Sequence, residues 1–320
     1  MQRYDVFNGD ADGICALIQL RQAFPCDTQL ITGVKRDIAL LQQVPTGEPA
    51  EVVVLDISLD RNREALDRLL ASGSKVFYCD HHFAGDELPV HDGFTPLIDT
   101  APTVCTSLLI DQHLDGRFRE WAVAAAFGDN LNAVAAELAS ASGLSAEQAE
   151  ALRQLGVCIN YNGYGESLDD LHFHPADLYR AFSVYASPLQ LLADNVPAWQ
   201  KLSQGYAEDM EQGLSCAPAH QCESALVVIL PDAPWARRVS GVLGNELANR
   251  NPERACAVVT EAGEEHYLIS IRAPLSNRTG ADELARRFPT GGGRKAAAGI
   301  NKLPKQQLGE FVAAMTAHWR

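Results

Sequence analysis

The apolar residues of the first hundred positions fall into short runs. YDVFNGD (4–10), TQLITGV (28–34), EVVVLDIS (51–58), SKVFYCD (74–80) and FTPLIDT (94–100) each hold a nearly continuous hydrophobic stretch. Between them lie segments of helical period, GICALIQLRQAF and LDRNREALDRLLASG, the second placing Leu66, Leu69 and Leu70 on one face. Strands without in-and-out alternation, interleaved with helices, predict a parallel sheet covered on both faces. PTVCTSLLIDQHL and GRFREWAVAAAFGDN continue as helices, and residues 134–213 read as helices and loops. SALVVILPD (224–232) reopens a β pattern that RACAVVTEA and HYLISIRAP continue, with SGVLGNELANR, GADELARRF and KQQLGEFVAAMTAHW as helices. The prediction is an α/β protein: a parallel-sheet domain over 1–190, a helical linker over 191–222, and a smaller C-terminal α/β domain over 223–320.

Composition narrows the function. The 320 residues are 47% hydrophobic and 21% charged, as in a soluble globular protein, and suffice for two domains. No apolar run approaches the roughly 18 residues of a membrane span. The N-terminus, MQRYDVFNGD, has no apolar signal-peptide core. Eight cysteines without a CxxC pair suit reduced thiols in a cytoplasm. The net charge of −15 is uneven: residues 225–320 carry 13 Lys+Arg against 9 Asp+Glu, and residues 1–224 carry 13 against 32. So acidic a chain is a poor binder of long duplex, whose affinity comes from neutralising many phosphates. An acidic domain that gathers cations, beside a mildly basic one facing a small anion, fits better.

Acids recur where the predicted elements end. The first strand runs into Asn8-Gly9-Asp10-Ala11-Asp12-Gly13, the third into Asp56, the fourth into Asp80-His81-His82, and a later helix into Gly128-Asp129-Asn130. In a parallel sheet the carboxyl ends share one edge, where ligands bind, so residues far apart in sequence converge. Taken singly, each acid is an ordinary turn or helix-cap residue. Together, ionised carboxylates in a dry cleft require counter-charge, and divalent metal is the usual source. Mixed carboxylate and imidazole donors suit Mn²⁺ better than Ca²⁺. In the C-terminal domain, Gly291-Gly292-Gly293 permit close backbone approach to a phosphate, with Arg272 and Arg294 beside them. Arg237-Arg238 read as a solvated helix start, and His172 and His174 as structural. Tyr161 and Tyr164, in 159–170, read as part of a helix-connecting loop, with base stacking as the less favoured alternative.

These motifs, in this order, resemble those of the DHH phosphoesterases. NGDADG, the Asp56 strand end, Asp80-His81-His82 and GDN look like the family's four motifs. TGGGRKAAAG (290–299), preceded by ISIRAP (269–274), looks like the GGGHxxAAG signature and neighbouring strand of the associated DHHA1 domain. The resemblance runs from about residue 4 to residue 300. It implies a metal-dependent phosphodiesterase whose active site lies in the interdomain cleft and holds two Mn²⁺ ions. Asp10 would bind the first ion, Asp12, His81 and Asp129 the second, and Asp56 both. His82 would contact the scissile phosphate, with Asp80 orienting a histidine. Arg272, Gly291, Gly292, Gly293 and Arg294 would bind substrate.

A DHHA1-like domain points to RecJ-type exonucleases, nanoRNase-type hydrolases and cyclic dinucleotide phosphodiesterases, and the length favours the small-substrate branch. The implied substrate is a very short linear oligonucleotide, with dinucleotides such as pGpG as a specific candidate. Rival readings are a cyclic dinucleotide phosphodiesterase, a 3′,5′-bisphosphate nucleotidase, and a nucleotide-binding regulator without turnover. No membrane or long-duplex partner is expected, and a homodimer is left open. Two positions depart from the pattern. Asn8 stands where the family has a His or Asp ligand, which implies a weakened first metal site. Arg294 replaces the histidine of GGGH, and its fixed charge and planar donor fork suit a phosphate or a guanine edge.

Overall fold

A computed structural model describes the whole chain, Met1–Arg320. It divides into two compact units, Met1–Gln204 and Gly205–Arg320, and the division falls inside the stretch 191–222 read as a helical linker.

The first unit opens with β1 (Gln2–Phe7), α1 (Ala11–Ala23), β2 (Gln29–Ile31), β3 (Ala50–Leu55), α2 (Leu59–Ala71), β4 (Lys75–Asp80) and β5 (Phe94–Ile98). Helices follow: α3 (Thr106–His113), α4 (Arg119–Gly128), α5 (Asn132–Ala141), α6 (Ala146–Asn162), α7 (Pro175–Phe182), α8 (Pro188–Ala193) and α9 (Pro197–Ser215), the last running across the division. The five strands are all parallel in the order β2-β1-β3-β4-β5. Tyr4, Val6, Val52, Val54, Val76 and Tyr78 form one face of that sheet and pack in a core with Leu66, Leu69 and Leu70 of α2. Helix α1 is buried on all sides from Ala11 to Leu20, which explains why its segment shows no amphipathic stripe.

Strand order decides where the site lies. From β1 the chain crosses to β2 on one side, and β3 then pairs with β1 on the other. The carboxyl ends of β1 and β3 therefore flank a topological switch point, the place where open α/β sheets leave a crevice. Two glycines bring α4 to the same edge. A Cβ on Gly156 would lie 1.8 Å from the Ala124 carbonyl oxygen, and one on Gly128 would lie 2.6 Å from the Ala11 Cβ. Backbone contact between α4 and α6, with α1 against both, needs glycine at these positions.

The second unit contains the end of α9, then β6 (Pro218–Gln221), β7 (Ala225–Leu230), α10 (Pro234–Arg250), β8 (Ala255–Ala262), β9 (His266–Arg272), α11 (Ala281–Ala285), β10 (Gly291–Gly293), β11 (Ala297–Pro304) and α12 (Leu308–His318). Its sheet has the order β10-β11-β9-β8-β7-β6 and is parallel only between β7 and β8. Val227, Val259, Ile269, Ile271, Ile300 and Phe311 lie in its core. Three local features differ from the sequence reading. Gly291–Gly293 form an edge strand rather than an open loop, and a Cβ on Gly291 would lie 1.8 Å from the Ala285 carbonyl. Arg238 is not solvated: it is largely buried, donating from Nε and Nη2 to both Asp209 oxygens at 2.9 and 3.3 Å. Tyr161 lies buried within α6, its hydroxyl 2.7 Å from His172 Nε2, because α6 runs on to Asn162.

Candidate metal and phosphate site

The loop after β1 is folded tightly. The Asn8 N–H donates to the Leu55 carbonyl at 3.2 Å, tying the loop to the end of β3. Asp10 caps α1, its Oδ1 accepting from the N–H groups of Asp12 and Gly13 at 2.9 and 3.1 Å. A Cβ at Gly13 would sit 2.2 Å from the Asn8 carbonyl oxygen, so only glycine allows this turn. Asp12 makes a different contact: its two oxygens accept from the N–H groups of Ser107 and Thr106, both at 2.7 Å, at the start of α3. One carboxylate thus fastens α1 to α3.

Asp56 follows β3 with φ of 60°, a left-handed conformation that costs a non-glycine residue energy and is held here by its surroundings. Its N–H donates to the Cys79 carbonyl at 3.1 Å, and its Oδ1 accepts from the Thr106 hydroxyl at 3.3 Å. Asp80 ends β4. Next to it, His81 Nδ1 lies 2.9 Å from the Val104 carbonyl, an acceptor that fixes the proton on that nitrogen. His81 Nε2 is left with its lone pair, 3.3 Å from Asp56 Oδ1 and 3.8 Å from Asp12 Oδ2. His82 Nδ1 meets Asp80 Oδ1 at 2.8 Å and lies 3.8 Å from Asp56, so the histidine that Asp80 engages is His82. The His82 side chain is 35% exposed, whereas those of Asp12, Asp56, Asp80 and His81 are buried. Asp129 caps the end of α4 at the same edge.

A residue absent from the sequence reading completes the cluster. The Lys35 ammonium is bonded to Asp10 Oδ2, lies 2.9 Å from Asn160 Oδ1 and 3.8 Å from Asp129 Oδ1, and stands over the Tyr164 ring at 5.5 Å. Nothing in the segment VKRDIA separates this lysine from an ordinary solvated one. Its partners come from three other parts of the chain.

The electrostatics follow from this crowding. Burial, then the charges of Asp10 and Asp12, push Asp56 well above the usual carboxylate range. Burial also raises Asp12, with Asp129 and Asp10 adding to the effect and His81 opposing it. Burial acts against ionisation of Asp10 too, but Lys35 outweighs it and the group falls to about 2. Burial works to lower His82, and Asp80 and Asp56 more than compensate, favouring its protonated form. Charge is therefore balanced at Asp10 and short at Asp12 and Asp56. A divalent cation would supply it. Asp56 Oδ1 and Asp12 Oδ2 lie 3.3 and 3.8 Å from His81 Nε2, and His82, engaged by Asp80, lies within 4.8 Å of Asp56 and His81. This mixed set suits Mn²⁺ or a similar ion.

The chemistry fits one such ion better than two. Asp10 has both oxygens engaged, one by backbone N–H groups and one by an ammonium. Asn8 likewise uses both ends of its amide, accepting from the Asp10 N–H and donating to the Lys35 carbonyl, each at 3.2 Å.

The remaining candidates lie in the second unit. Arg272 donates to Asn245 Oδ1 at 2.6 Å and to the carbonyls of Ile271 and Gly241 at 3.0 and 3.1 Å, holding α10 to β9. Arg294 is exposed in the turn between β10 and β11, its N–H on the Ala297 carbonyl at 2.8 Å. Gly291, Gly292 and Gly293 form β10 beside it.

Solved structures share this architecture over the whole chain. Exonuclease RecJ bound to manganese is 18% identical, covering 99% of this chain and 90% of that one, with a TM-score of 0.63. RecJ from Thermus thermophilus in complex with Mn²⁺ is 17% identical over 99% of this chain and 52% of that one, with a TM-score of 0.59. The pGpG-specific phosphodiesterase PggH from Vibrio cholerae is 13% identical over 100% of this chain and 99% of that one, with a TM-score of 0.58. No protein-family model and no curated protein matches the sequence. At these identities the likeness is one of fold, and the fold implied by the DHH-like motifs is borne out.

Proposed function

We propose that this chain, built on the fold of RecJ and of a pGpG-specific phosphodiesterase, is a metal-dependent phosphodiesterase of the DHH kind. Its substrates are very short linear oligonucleotides, dinucleotides such as pGpG, and its products are mononucleotides. The observation that carries this reading is the convergence of Asp12, Asp56 and His81 on one point, with His82 held by Asp80 at the exposed rim. Asp12, Asp56, His81 and Asp129 would hold a divalent ion, which supplies an activated water and neutralises charge on phosphoryl oxygens.

The protein's own residues do the rest. The Val104 carbonyl sets the His81 tautomer so that Nε2 offers its lone pair. The left-handed turn at Asp56 leaves its carboxylate 3.3 Å from His81 Nε2 and accepting from the Thr106 hydroxyl. With Nδ1 on Asp80, the part-exposed His82 presents Nε2–H outward, where it donates to an oxygen of the scissile phosphate. The second unit, net basic over 225–320, supplies recognition through Arg272, Gly291, Gly292, Gly293 and Arg294. The exposed Arg294 is suited to a distal phosphate or a guanine edge. The large acid excess of residues 1–224 opposes a long polyanion and tolerates a short one. We place the enzyme in the cytoplasm: its eight cysteines are free, and no helix is long and apolar enough to cross a membrane.

The test is a panel of linear 5′-phosphorylated dinucleotides, cyclic dinucleotides and 3′,5′-bisphosphate nucleotides, each with Mn²⁺ and with EDTA, resolved by chromatography. Mononucleotide released only from linear dinucleotides and only with Mn²⁺ is the expected result. Turnover confined to the cyclic or bisphosphate substrates would shift the substrate class. Tight binding without any product would make the protein a nucleotide-binding regulator.

A further inference from the structure

We propose that Lys35 is the second cation of this site, standing in for the first divalent ion of a two-metal phosphoesterase, so that the centre works with a single metal. The proposal rests on the metal-dependent reading above and sharpens it.

The lysine is held at both ends. Its N–H donates to the Gly163 carbonyl at 2.7 Å, and its carbonyl accepts from the Asn8 side chain at 3.2 Å. Its ammonium bonds Asp10 and Asn160 and faces Asp129, so the tip is fixed among acceptors rather than swinging in solvent. The Asp10 side chain is 3% exposed and that of Lys35 23%. A divalent ion on Asp10 Oδ2 would have to sit against that ammonium, and like charges at contact in a buried site exclude one another. The position is already filled by a positive charge.

Asn8 and Lys35 depart from a two-metal arrangement together. A histidine or aspartate at position 8 would offer a metal a donor. Asparagine offers an amide N–H to the Lys35 carbonyl and an oxygen to the Asp10 N–H. The neutral side chain thus builds the lysine's seat. An ammonium cannot acidify a bound water as a metal does, but it brings fixed charge and three N–H donors beside Asp10. An ion held by Asp12, Asp56, His81 and Asp129 would supply the water activation instead.

Manganese content after equilibrium dialysis, read by mass spectrometry, tests this, with electron paramagnetic resonance distinguishing isolated from exchange-coupled Mn²⁺. The wild-type chain is expected to take up one Mn²⁺ with the spectrum of an isolated ion. Asn8→His combined with Lys35→Ala is expected to take up two, with a coupled spectrum. Lys35→Ala alone, checked for fold by circular dichroism, is expected to gain the second ion more weakly. Two coupled ions in the wild type would overturn the proposal while leaving the metal-dependent reading intact. One ion in every correctly folded variant would also overturn it, since the lysine would then not be what excludes the other. No uptake by the wild type, with no hydrolysis, would remove the metal reading and this proposal with it.

Discussion

Two of the candidate metal ligands are expected to respond oppositely when removed from the metal-free protein. Asp12 accepts two buried backbone N–H bonds at 2.7 Å from the start of α3, while Asp56 accepts a single hydroxyl bond at 3.3 Å. Hydrogen bonds to a charged group contribute about 1.5–3 kcal/mol each, so Asp12→Ala forfeits about 3–6 kcal/mol gross. Relief of burial and of repulsion from Asp129 and Asp10 returns part of this, leaving a net loss of about 2–4 kcal/mol. For a unit of this size, with about 2–4 °C per kcal/mol, the melting temperature is expected to fall by about 4–16 °C. Asp56→Ala leaves the left-handed backbone strained but removes a buried charge repelled by Asp10 and Asp12, and its melting temperature is expected to hold or rise. Both variants are expected to lose Mn²⁺ uptake. The assay is calorimetry of wild type and both variants in EDTA. Equal falls for the two, or no fall for Asp12→Ala, would refute the division between a fastening ligand and a purely functional one.

Three further outcomes follow from the geometry. Asp80→Asn is expected to lower kcat/KM by about 10–100-fold through loss of His82 orientation, with Mn²⁺ uptake unchanged; a fall in uptake would assign His82 to the metal instead. Gly156→Ala forces α4 from α6 and is expected to cost about 1–3 kcal/mol and weaken Mn²⁺ binding, because α4 carries Asp129; unchanged melting and uptake would contradict that packing. Arg294→Ala is expected to reduce dinucleotide kcat/KM by roughly 10–150-fold while sparing a small aryl phosphodiester; equal losses on both would take Arg294 out of recognition.

How far the sequence disclosed this molecule depends on the range of the interactions. The strands of the first sheet show in sequence because Val52–Leu55 and Val76–Tyr78 are apolar without interruption, and parallel order follows from the helices between them. The acids at Asp10, Asp56 and Asp80 show because they sit where those runs stop. Lys35 could not be read this way, since its partners lie at positions 8, 10, 129, 160 and 163 and a lysine in a loop is by default solvated. The Arg238–Asp209 pair is hidden for the same reason, one member lying on α9 and the other on α10. Gly291–Gly293 suggest a loop because glycine disfavours strands, and the approach of the Ala285 carbonyl, which makes glycine necessary at 291, is a tertiary contact. The second role of Asp12 is likewise invisible: NGDADG gives no hint that its last aspartate receives the first N–H groups of a helix 94 residues on.

The central claim is that the cluster at the ends of β1, β3 and β4 cleaves a phosphodiester with metal. It is tested most directly by following 5′-phosphorylated diguanylate with wild-type protein and with His81→Ala, each at saturating Mn²⁺ and again in EDTA. The account predicts two guanosine monophosphates per substrate from the wild type with Mn²⁺. It predicts none above background in EDTA and none from His81→Ala. Mononucleotide released at the wild-type rate by His81→Ala, or by the wild type in EDTA, would contradict it.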